Sequence, residues 1–122
     1  MDNHEIHDMF VEEFANKLGS LIYIGEIVEY EEYGESAGST IAIIENDGGY
    51  KIIEASWCDD PWSAACFNQD EQAEILSAPW LNRDQLLREL VENRAFDCDA
   101  DEFFKALGAI GASRKDLPPR KS

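Results

Sequence analysis

Basic residues are scarce in the first two thirds of the chain: between residues 1 and 82 only Lys17 and Lys51 carry positive charge. Cysteine is also scarce. Cys58, Cys66 and Cys98 are three, an odd number, at irregular spacing, which fits reduced thiols better than a disulfide framework. A Cys58–Cys66 bridge belongs only to an oxidising compartment. No run of eighteen apolar residues occurs, which excludes a helical membrane span. The opening MDNHEIHDMF has acids but neither a basic start nor an apolar run, so the expected location is cytoplasmic. Glycine-rich phosphate loops, a GxSxG elbow and paired zinc-ligand spacings are all missing, which removes the common motif-borne activities.

Acid is what the chain has in excess. Of 26 Asp and Glu, eighteen fall in residues 1–82, while residues 83–122 hold eight acids and eight bases, so the first segment carries the whole net charge of −16. Charge acts on solubility, association rate and choice of partner rather than on fold. The repulsion between this chain and phosphate argues against direct nucleic-acid binding and points to a basic protein surface. With 122 residues, 44% of them hydrophobic, the chain is long and apolar enough to fold without metals or disulfides.

Ile6, Met9, Phe10, Phe14 and Leu18 recur at helical spacing and define an apolar stripe from about residue 3 to 18, ended by Gly19. Asp2, Glu5 and Asp8 suit the positive end of that helix, and Glu13 with Lys17 forms an i, i+4 pair. From Leu21 to Trp57, β-branched and aromatic residues mark three strands. The second and third meet at Asn46-Asp47-Gly48-Gly49, which supplies the positive-φ residues of a tight hairpin. The first two meet at the looser GESAGS, and Gly25 marks a bulge. CDDPWSAACFNQ reads as a loop because Pro61 interrupts it. A short helix follows over DEQAEILSA. Asn82 then caps a helix with Leu86, Leu87, Leu90 and Val91 inward, and Asp99 caps another with Phe103, Phe104, Leu107 and Ile110 inward.

The expected architecture is α+β: an N-terminal helix, a three-stranded antiparallel meander, then two or three C-terminal helices packed on one sheet face. Residues 1–113 form one acidic domain and 114–122 a basic, proline-containing disordered tail.

The first candidate site is an acidic ladder: Glu26, Glu29, Glu31, Glu32 and Glu35 on the first strand and its turn, Glu45 and Asp47 on the next, then Glu54, Asp59 and Asp60. Residues i and i+2 of a strand lie on one face about 6.6 to 6.8 Å apart, so Glu29 and Glu31 can present carboxylates in a row to a groove built for phosphates. Edge protection is the plain alternative. In the loop, Trp62 beside Asp59 and Asp60 suits an interface hot spot, whereas Trp57 continues the strand and reads as core. The expected partner-binding set is Glu29, Glu31, Glu32, Glu35, Asp59, Asp60 and Trp62. His4 and His7, with Cys58 and Cys66, make a poor metal set, so no metal or cofactor is expected. No cysteine sits beside a base that would activate it, so no catalytic residue is assigned.

In size, charge and lack of a catalytic signature, though not in any motif, the chain resembles small acidic accessory proteins of phages, plasmids and toxin systems. These include DNA-mimic antirestriction, anti-CRISPR and immunity proteins. The resemblance implies a non-enzymatic inhibitor that blocks a basic site: the nucleic-acid groove of a nuclease or defence complex, or a cationic toxin. The alternatives are an accessory interaction domain, homodimeric in one form, whose charge serves solubility, and a small Cys-dependent enzyme.

Overall fold

The computed structural model describes residues 3–32, 35–58 and 69–119. Its elements run α1 (Asn3–Leu18), β1 (Ser20–Glu32), β2 (Glu35–Asn46), β3 (Gly49–Cys58), α2 (Gln69–Ser77), α3 (Arg83–Glu92) and α4 (Ala100–Ala109), with 3-10 turns at Arg94–Cys98 and Arg114–Asp116. This is the expected α+β order, with an antiparallel sheet β1-β2-β3.

β2 decides how the layers stack. Its run Ile41-Ala42-Ile43-Ile44 is fully buried and alternates between two clusters. Ile41 and Ile43 pack with Leu86, Leu87 and Leu90 of α3 and Ala106 and Leu107 of α4. Ala42 and Ile44 pack with Val11 and Ala15 of α1 and Ile75 of α2. The last two helices share one face, and α1 with α2 covers the other, because a strand apolar on both sides must be covered on both sides.

The stripe of α1 differs from its sequence reading. Val11 and Ala15 are completely buried and Phe14 and Leu18 partly so, whereas Met9 and Phe10 are 56% and 47% exposed. Small residues meet here, Ala15 on the helix with Ala42 and Ala55 on the sheet, so helix and sheet come close and the larger side chains are left at the margin. The Ile6 side chain lies outside the described residues.

Gly25 is not a bulge: it pairs regularly with Ile41. The register shifts fall between Leu21 and Tyr23 and between Val28 and Tyr30. The first lets consecutive Ile22 and Tyr23 both pack on the α3–α4 side, which strict alternation forbids. GESAGS is not a turn over its length either, since β2 begins at Glu35. The β2–β3 turn is as expected, with Asp47 and Gly48 at φ of 55° and 80°.

Local signals in the C-terminal third match the structure. The Asn82 side chain accepts from the Gln85 N–H at 2.8 Å while the Gln85 side chain accepts from the Asn82 N–H at 2.9 Å, a reciprocal cap. Asp99 caps α4 by accepting from Glu102 N–H at 3.2 Å. Between them the 3-10 turn buries Ala95 and Phe96, the latter 5.5 Å from the Phe103 ring. Phe104 is exposed, with Arg114 over its ring at 4.8 Å. Within the stretch expected as a disordered tail, Leu117 rests against the α3–α4 cluster and Asp116 lies 4.0 Å from the Arg83 guanidinium.

Candidate partner-binding surface

Among the described residues the last β2–β3 pair is Ala37↔Cys58, and β1 and β2 pair on through Glu31↔Ser36 to Glu32↔Glu35. Glu31, Glu32 and Glu35 therefore lie at one end of the β1–β2 hairpin, with Glu32 and Glu35 at directly opposed positions. Glu29 falls in the register shift between Val28 and Tyr30, so strand spacing alone does not put it on one face with Glu31. Asp59, Asp60 and Trp62 lie outside the described residues, as does Cys66.

The rest of the ladder disperses. Glu26 pairs with Thr40, whose hydroxyl donates to Asp8 on α1, so this pair belongs to the α1 face. Glu45 and Asp47 are at the opposite end of the sheet from Glu32 and Glu35. Glu54, opposite Ile41, belongs to the α3 face.

On that face lies an acidic groove of about 720 Å³ lined by Glu54, Glu89, Glu92, Asn93, Arg94, Ala95 and Cys98. Asn93 fixes one wall: its amide donates to Glu54 Oε2 at 3.4 Å while its oxygen accepts from Ala95 N–H at 3.0 Å. The balance of eight acids and eight bases in residues 83–122 gives no hint of this groove. A signal was available in the i, i+3 spacing of Glu89 and Glu92, off the Leu86-Leu87-Leu90 stripe.

Two further polar clusters among the described residues are structural. The Tyr23 hydroxyl donates to Glu102 Oε2 at 2.6 Å, and Lys105 donates to the other oxygen at 2.9 Å. Burial, and then the hydrogen bond to Glu102, push the Tyr23 phenol upward from its ordinary value. The Glu102 bond also raises the Lys105 ammonium. Lys51 is 5% exposed and donates to the Ile75 and Leu76 carbonyls at the end of α2 at 2.9 and 3.4 Å, with the Trp80 ring 4.8 Å away.

Cys98 is an exposed free thiol. Cys58 closes β3. Among the described residues no three His, Cys, Asp or Glu side chains gather as a metal site, and no helix is long and apolar enough to cross a membrane. The His4 and His7 side chains lie outside the described set. No family model matches the chain, and neither does any curated protein or solved structure.

Proposed function

We propose that this protein is a stoichiometric inhibitor that blocks a basic site on a partner protein, such as the nucleic-acid groove of a nuclease or defence complex, or the active site of a cationic toxin. The observation that carries the reading is the opposition of Glu32 and Glu35 at the end of the β1–β2 hairpin, with Glu31 beside them. Like charges directly opposite destabilise a sheet by a few tenths of a kcal/mol up to about 1. A partner surface rich in Arg and Lys would offset that repulsion.

The mechanism is electrostatic steering followed by desolvation of a few central contacts. Steering raises association to about 10⁸–10⁹ M⁻¹s⁻¹ at low salt, and the rate falls steeply as salt is added. The contact set is Glu29, Glu31, Glu32 and Glu35, with Asp59, Asp60 and Trp62 following β3 in sequence. Neither a catalytic step nor a cofactor is part of the mechanism. The test is capture of partners from the host cell at low and then raised salt, with the eluate identified. Recovery of a DNA-handling protein or a basic toxin supports the reading.

The exposure of Met9 and Phe10 on α1 favours a second reading, an accessory interaction domain whose contact is apolar and whose charge serves solubility. Binding that survives about half-molar salt, where exposed charges are screened within a few ångströms, selects it over the first.

A further inference from the structure

We infer that residues 113–119 are a strap that opens and closes as a unit over an apolar cavity beside α3, with Ser113 as its pivot and Arg83 as its clasp. The strap stands apart from the acidic end of the hairpin, and the inhibitor reading neither requires it nor falls with it.

The fixed end is the close of α4. Gly111, at φ of 69°, donates its N–H to the Gly108 carbonyl at 3.1 Å, and Ala112 N–H donates to the Leu107 carbonyl at 2.9 Å, which ties both residues to the helix. From Ser113 onward these bonds turn inward to the segment itself. Asp116 N–H donates to the Ser113 carbonyl at 3.0 Å, Leu117 N–H donates to the Arg114 carbonyl at 3.3 Å, and the Asp116 carboxylate accepts from Ser113 N–H at 2.8 Å. Local bonds of this kind let the segment move as one piece.

What crosses to the body is weak. The Arg83 guanidinium, at the start of α3, donates to the Gly111 carbonyl at 3.2 Å on the fixed side and lies 4.0 Å from the Asp116 carboxylate on the moving side. The two side chains of that pair are 44% and 41% exposed, so solvent screens most of their attraction. Arg114 sits over the Phe104 ring at 4.8 Å, and that ring too is exposed. Leu117 is the apolar anchor, packed on the α3–α4 cluster. Leu117 and Pro118 nevertheless border a cavity of about 270 Å³, lined on its other side by Leu90, Val91, Phe96 and Phe103. Side chains that border a cavity make fewer packing contacts than those in a filled core, so the strap closes loosely. Opening therefore costs less than unfolding α3 or α4. It bares the face made by Leu90, Phe96 and Phe103, and it takes Arg114 and Lys115 away from an acidic body.

The experiment is trypsin digestion of the full chain under native conditions, with the fragments identified by mass. Cleavage after Arg114 reads the strap, cleavage after Lys105 on α4 reads unfolding of the body, and Nile red, an uncharged dye, reads bared apolar surface. Arg83→Gln removes the clasp and leaves the Asn82–Gln85 cap in place, while Leu117→Ser removes the anchor. A synthetic peptide of residues 111–122 gives the cleavage rate of an open strap. The expected result is that the wild type is cut after Arg114 about tenfold or more slowly than the peptide. Each variant should be cut there about tenfold faster than the wild type and should brighten Nile red, with little change in cleavage after Lys105 or in melting temperature. A wild type cut as fast as the peptide, or variants cut no faster than the wild type, overturns the strap. Equal acceleration at Arg114 and Lys105 also overturns it, since the segment then unfolds together with α4. Faster cleavage without brighter Nile red overturns it as well, because no apolar face is then bared.

Discussion

Gly25 keeps open the space that the Tyr23 hydroxyl and the Glu102 carboxylate occupy. A Cβ built there collides with both, and with the Tyr23 ring. Gly25→Ala should therefore break the Tyr23–Glu102 hydrogen bond and cost about 1–3 kcal/mol in chemical denaturation. Gly108→Ala is the contrast: no atom lies within 4 Å of its Cβ position and it sits on α4, so the change should stabilise by about 0.5–1 kcal/mol. The same site sets an alkaline limit. A phenol raised above its ordinary value of 10.0 keeps its proton in the folded state after the unfolded chain has lost it. Its contribution is complete below about pH 10 and is lost as pH climbs further, and Tyr23→Phe should flatten that part of the stability profile. Gly25 was read from sequence as a bulge because its actual constraint, a carboxylate on α4, is distant in sequence.

At the scale of elements, Lys51 ties α2 to the sheet by binding the carbonyls that end the helix. Lys51→Met should leave those carbonyls without the ammonium, cost about 1–3 kcal/mol and speed amide exchange in α2 while α3 stays protected. The Glu32–Glu35 end of the β1–β2 hairpin makes the opposite forecast. Glu32→Thr should raise stability by about 0.2–1 kcal/mol while weakening partner binding, the signature of a residue kept for function. Elements legible in the sequence were those whose signals are local: the Asn82 and Asp99 caps, the Asp47-Gly48 turn and the α3 leucines. What was not legible depends on juxtaposition. The Ile41–Ile44 run has no period that says it is covered twice, Ala15 conceals how closely α1 approaches, and Glu89 with Glu92 becomes a groove wall only once α3 lies beside β3.

At the scale of the whole molecule, eighteen acids against two bases in residues 1–82 leave strong self-repulsion. Screening should relieve it, so the melting temperature of the free protein is expected to rise between about 10 mM and 0.5 M sodium chloride while partner association slows. The fold divides this charge: Glu26 goes to the α1 face, Glu45 and Asp47 to one end of the sheet, Glu54 to the groove, and Glu31, Glu32 and Glu35 to the other end. That division makes the central claim local and separable. The most direct measurement is the association rate with the captured basic partner as a function of salt, for the wild type and for the protein carrying Glu29→Lys, Glu31→Lys and Glu32→Lys. The account predicts a fast, steeply salt-dependent rate for the wild type and a rate lower by about tenfold or more, with a much shallower salt dependence, for the reversed protein. Equal rates and equal salt slopes for the two proteins would contradict it.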